Sequence, residues 1–305
     1  MKGRLYRWAD RWAVRIADRM GVTISRAKPL DLRGQDIHPL EAWYRAGRYQ
    51  PVLMDVPLSK LRGLGSAAYP CTQDSGHPFI ETLLEYESGS VRCYQGSVLE
   101  NFYRKWQPQS AAEYLDVDDS QESASLQKIE ATAAVFPWSR HDSSVQRGNV
   151  SQAIRLVSKK SSGRVPIDMA TWHFFGPATK IAGEFEYQRI IDIYQSIKRQ
   201  GFVRKDTFDG DVKGTLMVKD KEWRFLIGGG GQHRVSALST MSFSVAPVRV
   251  FDHLPMIVRR EDSSLWPLVA AGVFDEKTAL SIFDRVFEGR QPRAISWLDG
   301  NEVQF

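Results

Sequence analysis

In the second half of the chain, the spacing of apolar residues predicts alternating helices and strands. Apolar residues at steps of three or four predict an amphipathic helix from Glu184 to Arg199. Short apolar runs rich in β-branched and aromatic residues predict strands at residues 215–218, 223–227 and 245–251. A final helix is expected at about residues 276–287. This alternation indicates an α/β or α+β fold.

The first half of the chain has a weaker pattern. An apolar run predicts a strand leading into a turn or short helix over residues 51–62, and helical spacing predicts helices over residues 80–86 and 98–106. Residues 141–163 are rich in Ser, Lys, Arg and Gln, which predicts a surface excursion or linker.

We therefore expect three regions along the chain. They are a basic amphipathic helix at residues 1–22, an N-terminal region with the first core strand and a helical insertion at residues 23–165, and a domain with the C-terminal helix at residues 166–305.

The first twenty residues combine an apolar stripe with basic side chains. The stripe consists of Leu5, Trp8, Trp12, Ile16 and Met20. Six basic residues against two acidic ones give this segment a charge of +4, whereas the whole chain carries +5. The helix expected at residues 4–20 either docks on its own domain or lies on an anionic membrane surface. The excess of positive charge lies at one end of the chain, so it does not favour DNA as a partner.

Composition places the chain among ordinary globular proteins. It has 305 residues, of which 42% are hydrophobic and 25% charged. Two cysteines cannot form a disulfide framework, which favours a reducing compartment. No apolar run is long enough to span a bilayer. We expect a cytoplasmic protein. The alternative is a peripheral protein that residues 4–20 attach to the inner face of the membrane.

The segment from Phe225 to Leu238 contains the strongest functional signal. A predicted strand enters four consecutive glycines, and Gln232, His233 and Arg234 follow where the next helix should begin. Glycines allow backbone N–H groups to approach a ligand closely, and a helix N-terminus attracts an anion such as phosphate. A cation at that end opposes the helix dipole unless an anion lies between them. The segment therefore favours phosphate or nucleotide binding over a purely structural turn.

The order of helix, strand, Gly-Gly-x-His-Arg, helix and strand resembles the ParB/sulfiredoxin-like superfamily. Gly230 to Arg234 occupies the place of the phosphate-binding Gly-Gly-Cys-His-Arg loop of sulfiredoxins, and residues 55–62 resemble the opening strand of that family. The similarity covers residues 52–62 and 184–252. It implies a nucleotide-binding core, to which this chain adds a helical region and the N-terminal amphipathic helix.

Departures from the family pattern limit what the resemblance implies. Gln232 replaces the sulfiredoxin cysteine, and an amide cannot act as the nucleophile in sulfinic acid repair. No helix-turn-helix pattern follows residue 252, which weakens the chromosome-partition interpretation. The leading hypothesis is a phosphotransferase or NTPase that uses ATP or another NTP with Mg²⁺ on an unidentified small-molecule or glycan-related acceptor. The alternatives are a DNA-associated ParB-like regulator and a non-catalytic membrane-surface scaffold.

These hypotheses assign roles to individual residues. The residues expected to bind phosphate or nucleotide are Arg62, Gly229, Gly230, Gly231, Gln232, His233, Arg234 and Ser236. The candidate catalytic carboxylates are Glu184, Glu186 and Asp252. His77, Arg140 and His141 are candidate substrate contacts, and His173 is expected to be a core histidine.

Overall fold

The computed structural model describes residues 28–46, 50–117, 123–161, 166, 172–203, 211–250 and 257–295. The helix predicted for residues 4–20 and the candidate carboxylate of Asp252 lie outside these ranges.

A mixed sheet forms the centre of the described structure. Its strands are β1 (Leu30–Asp31), β2 (Val52–Pro57), β3 (Leu61–Gly63), β4 (Tyr69–Pro70), β5 (Val212–Lys219), β6 (Glu222–Gly230), β7 (Val245–Val250) and β8 (Ile257–Arg259). Their order is β1-β2-β7-β5-β6-β3-β4, and β8 also pairs with β5. Antiparallel pairs alternate with parallel ones across the sheet. The fold is mixed α/β, as the alternating pattern predicts.

The β5–β6 hairpin is the longest pairing in this sheet. The strands predicted at residues 215–218 and 223–227 are confirmed, and both extend further than the apolar runs. The strand predicted at the start of residues 51–62 is confirmed as β2, and the short helix predicted after it is a 3₁₀ helix at Leu58–Lys60, which separates β2 from β3. Strands from both halves of the chain therefore share one sheet.

Ten α-helices are present among the described residues. They are α1 (Pro39–Arg45), α2 (Pro78–Ser88), α3 (Val98–Lys105), α4 (Ala111–Leu115), α5 (Ser123–Gln127), α6 (Ser143–Lys160), α7 (Lys180–Gln200), α8 (Gln232–Thr240), α9 (Pro267–Ala270) and α10 (Glu276–Glu288). The helices predicted at residues 80–86, 98–106, 184–199 and 276–287 are confirmed as α2, α3, α7 and α10.

Of the two alternatives predicted for residues 141–163, a surface excursion or a linker, the linker is wrong. This stretch forms α6, an 18-residue helix whose N-terminus is capped by the Asp142 carboxylate. Val150 is buried, while most of the polar residues around it are exposed. A polar helix with few apolar residues on one face has a composition similar to that of a linker. The capping residue marks where this helix begins.

Helices cover both faces of the sheet near β3. Successive residues on a strand face opposite sides of the sheet, so Arg62 and Gly63 face different layers of helices. The guanidinium group of Arg62 donates to the carbonyl of Phe287 in α10. A Cβ atom on Gly63 would instead lie 2.7 Å from His77 Nε2 and 2.8 Å from Gln232 Oε1, in the layer of α2 and α8. The site described below lies in that second layer.

The predicted four-glycine loop is only partly correct. Gly228, Gly229 and Gly230 belong to the end of β6, where Gly230 pairs with Lys213, and the register shifts between Lys213 and Gly214. Only Gly231 has the left-handed conformation, with φ of 110°. Extended backbone at a strand end suits glycine as well as other residues, so the sequence did not reveal how far the strand continues.

We predict that Gly231→Ala lowers the free energy of unfolding by about 1–3 kcal/mol, because an alanine is strained at this φ. A Cβ atom there would also lie 2.9 Å from Val212 Cα, a backbone atom that cannot move aside cheaply. Gly230→Ala is the matched control, since its Cβ would have no neighbour closer than 3.9 Å. Urea unfolding of both variants tests this prediction, and equal losses of stability would contradict it.

Candidate functional site

The candidate site is built around the start of α8. The chain leaves β6 through Gly231, which is the N-cap residue and gives the first turn of α8 no side-chain acceptor. Other helices of seven or more residues in the described ranges begin with a capping side chain. These capping residues are His38, His77, Ser97, Asp142, Thr179 and Asp275. The N-terminus of α8 is therefore equipped to receive an acceptor from elsewhere.

Gln232 fastens this turn to the neighbouring strand. Its side-chain Oε1 accepts a hydrogen bond from the Leu64 N–H at 3.1 Å, and its Nε2 donates to the Ile227 carbonyl at 3.3 Å. The residue is 3% exposed. Its amide thus links α8 to β6 and to the residue that follows β3. The side chain that was predicted to contact phosphate therefore has a structural role.

His233 and Glu186 form a buried pair between α8 and α7. His233 Nε2 lies 2.6 Å from Glu186 Oε1, and each side chain is 7% exposed. Arg189 approaches the other carboxylate oxygen at 3.4 Å. The side chain of His233 therefore points into the helical layer, whereas its backbone belongs to the first turn of α8.

Burial and charge set the protonation states of this pair. Burial lowers the pKa of His233 and outweighs the opposing attraction of Glu186. Burial raises the pKa of Glu186, but His233 and Arg189 more than offset it, so this pKa ends well below its usual value. At neutral pH the ionised Glu186 accepts from Nε2–H of a neutral His233. Nδ1 of His233 is then the nitrogen that can take a proton, as a general base must.

Two further histidines lie close to the pair. The ring centroid of His173 is 6.1 Å from that of His233, and the Phe79 ring lies 5.1 Å from His233. Burial lowers the pKa of His173 to about 4 and that of His77 to about 3. His77 Nδ1 accepts from the Phe79 N–H, so its proton is on Nε2, which is buried without a hydrogen-bond partner in the described structure.

A cluster of cations lies on the other side of the α8 start. Lys213 on β5 pairs in register with Gly230 on β6 and with Arg249 on β7. Arg249 forms an ion pair with Asp211, and Arg234 donates to the Asp211 carbonyl at 3.3 Å. Arg249 and Arg234 therefore both contact Asp211, and strand register places Lys213 beside Arg249.

The remaining predicted site residues have other surroundings. Arg62 is 4% exposed, and its guanidinium group donates to the carbonyls of Phe287, Ser59 and Leu61. Burial lowers its pKa to about 10. Ser236 is buried, and its hydroxyl donates to the Gln232 carbonyl at 3.0 Å.

Glu184 and Glu186 have different environments. α7 begins at Lys180, after the Thr179 cap, so neither residue lies in the first turn, where the sequence placed them. The Glu184 carboxylate is 46% exposed, accepts from Gln95 and faces Lys180, away from the buried pair. Of the two, only Glu186 is brought to His233.

Sequence reasoning did not identify Lys213, Arg249 or Asp211 as members of this site. They lie on β5, on β7 and at the entry to β5, and strand register alone brings them beside Gly230. The available signal was a basic residue near or within a predicted strand: Lys213 precedes the apolar run at residues 215–218, and Arg249 lies within the run at residues 245–251.

The described residues contain no group of three or more His, Cys, Asp or Glu side chains arranged to hold a metal ion. Within the same ranges, no helix is long and apolar enough to cross a membrane.

No protein-family model matches this chain, and comparisons with curated proteins and with solved structures found no match. The arguments for function therefore rest on the residues themselves.

We predict that acidification destabilises the protein through its buried neutral histidines. His77 stays unprotonated in the folded state down to a pKa of about 3, whereas in the unfolded chain it takes a proton near pH 6.5. The unfolded state binds more protons between these values, so stability falls as the pH drops. From pH 7.5 to 5, this residue should contribute a loss of about 2 kcal/mol.

The measurement is urea unfolding at both pH values for wild type, His77→Asn and His141→Asn. Asparagine retains an acceptor for the helix cap, so His77→Asn should fold and show a smaller loss on acidification. His141 is exposed and serves as the control. An unchanged pH dependence in His77→Asn would contradict the prediction.

Glu186→Ala should lower the free energy of unfolding by about 2–4 kcal/mol, since it leaves the His233 N–H and Arg189 without their buried partner. The matched control is Glu184→Ala on the same helix, which should change stability by less than about 0.5 kcal/mol because that carboxylate is exposed. Denaturant unfolding measures both, and similar effects in the two variants would show that the buried pair contributes little.

Proposed function

We propose that this protein binds the phosphates of ATP or another NTP at the start of α8 and transfers or hydrolyses a phosphoryl group. The observation that carries the proposal is the meeting of an uncapped helix N-terminus with Lys213, Arg234 and Arg249. A phosphate site at residues 230–234 is also what the resemblance to the ParB/sulfiredoxin-like superfamily implies, and we propose that the sheet, α7 and α8 correspond to its nucleotide-binding core.

The backbone at this position favours an anion. The first N–H groups of a helix and its dipole both attract negative charge, and here the N-cap residue Gly231 has no side chain to cap them. A Cβ atom on Gly230 would meet nothing closer than 3.9 Å, so the strand end has space beside it. A phosphate oxygen would occupy the place that a capping carboxylate or hydroxyl takes in the other helices.

The neighbouring charges support the same ligand. Lys213, Arg234 and Arg249 bring three positively charged side chains to this part of the structure. The negative charge of a di- or triphosphate is attracted to such a group of cations. Guanidinium groups also match phosphate oxygens in geometry.

The Glu186–His233 pair is the candidate acid–base group of this proposal. His233 Nδ1 is free to accept a proton once Nε2–H is held by Glu186 at 2.6 Å. In transfer to a hydroxyl acceptor or to water, such a base takes the proton of the attacking oxygen. Arg189 keeps Glu186 ionised, so that the pair retains its negative charge.

The described residues do not offer a carboxylate set for Mg²⁺. Asp211 is held by Arg249, and Glu186 is held by His233 and Arg189. We therefore derive no step through a protein-bound metal, and the cations above are the groups proposed to offset the phosphate charge.

Arg234→Ala should weaken nucleotide binding about tenfold, a loss of roughly 1.4 kcal/mol. The test is calorimetric titration of ATP, CTP and GTP, each with and without Mg²⁺, into wild type, Arg234→Ala and Arg155→Ala. Arg155 is an exposed arginine on α6 and controls for the loss of one positive charge.

Failure of all three nucleotides to bind the wild type would refute the proposal. Equal affinity in wild type and Arg234→Ala would show that the phosphates bind elsewhere.

A further inference from the structure

A second concave surface lies at the far end of the β5–β6 hairpin. It is a groove of about 390 Å³ in which aromatic residues and arginines meet. Its walls include Trp43, Trp138, Arg140, Arg259, Leu265 and Trp266. The volume lies within the usual range of small-molecule sites, which is about 300–1,000 Å³.

The groove is separate from the start of α8. β8, which supplies Arg259, pairs with residues 216–218 of β5, whereas Lys213 lies at the opposite end of that strand. Five residues from Lys213 to Val218 span about 16 Å at 3.3 Å per residue. A ligand in the groove is therefore too far from the proposed phosphate position to take part in direct transfer.

The floor of the groove is rigid and apolar. The rings of Trp138 and Trp266 meet edge to face with their centroids 5.4 Å apart, and Phe136 stacks on Trp138. The Trp266 indole N–H donates to the Arg259 carbonyl at 3.1 Å, so the buried polar atom of that ring is satisfied. A hydrogen bond from the Leu268 N–H to the Pro137 carbonyl joins the two segments of the floor. Such a floor is organised before any ligand arrives.

The rim exposes apolar side chains that a monomeric protein usually covers. Leu265 is 75% exposed, and Trp43 is 40% exposed. An indole that is accessible to solvent offers its face to a flat ligand ring or to an apolar group.

Two arginines give the rim a positive charge. No hydrogen bond or ion pair holds the guanidinium group of Arg140 or Arg259 in the described part of the chain, whereas the adjacent Arg260 is paired with Asp284. Asp262 is the acidic residue of the described lining, which leaves a net charge of +1. Guanidinium groups beside the exposed indole ring of Trp43 suit an anion whose body is flat and apolar.

We propose that this groove is a binding site for a small aromatic anion, such as an aromatic carboxylate. The flat body lies against Trp43 and the Trp138–Trp266 floor, and the carboxylate contacts Arg140 and Arg259. The site is independent of the nucleotide proposal, because it uses none of the same residues.

The probe for the test is 2-naphthoate, with the neutral 2-naphthamide as its uncharged counterpart. Calorimetric titration into the full chain should show that the amide binds at least about tenfold more weakly than the carboxylate. Arg259→Gln and Trp43→Ala should each weaken naphthoate binding by about tenfold.

Two neighbours of Trp43 provide matched controls. Tyr44 is 77% exposed, and Arg45 pairs with Glu41, but neither lines the groove. Tyr44→Ala and Arg45→Gln should leave the affinity for naphthoate within about twofold of wild type. Circular dichroism of all four variants should match wild type, since the altered side chains are partly or fully exposed.

Three results would overturn the proposal. They are the absence of naphthoate binding to wild type at about 5 mM, equal affinity for the carboxylate and the amide, and unchanged affinity in both Arg259→Gln and Trp43→Ala.

Discussion

The site depends on one constraint, the sharp passage of the backbone from β6 into α8 at Gly231. The positive φ of this residue and its contact with Val212 leave no room for a side chain. The Gln232 amide then fixes the turn to β3 and β6. Because the turn is closed at a glycine, no side chain of its own covers the first N–H groups of α8. The same backbone geometry thus stabilises the junction and exposes a site for an anion.

This junction separates two kinds of chemistry. On one side, His233 enters a layer of helices where burial keeps it neutral and Glu186 keeps its proton on Nε2. On the other side, register in the sheet places Lys213 and Arg249 beside the end of β6. His233 and Arg234 are adjacent residues of α8. The first belongs to the buried pair, and the second belongs to the cation cluster.

The sequence predicted those features that depend on local patterns. α7, α10 and the β5–β6 hairpin follow from apolar spacing, and Gln232 to Thr240 follows the glycines as the expected helix. The prediction failed where long-range pairing decides the outcome. Three of the four glycines continue β6 because a partner strand lies beside them, and Arg62 donates to the carbonyl of Phe287, which is 225 positions away. Likewise, no local signal joins Glu186 to His233, which are 47 positions apart.

The measurement that tests the central claim most directly is nuclear magnetic resonance of the protein labelled with ¹⁵N-glycine, titrated with inorganic tripolyphosphate. Binding at the start of α8 should shift the amide signals of Gly230 and Gly231. It should leave those of Gly89 and Gly272 in place, because these glycines end other helices or lie in turns. Shifts confined to other glycines, or no shifts at all, would contradict the account.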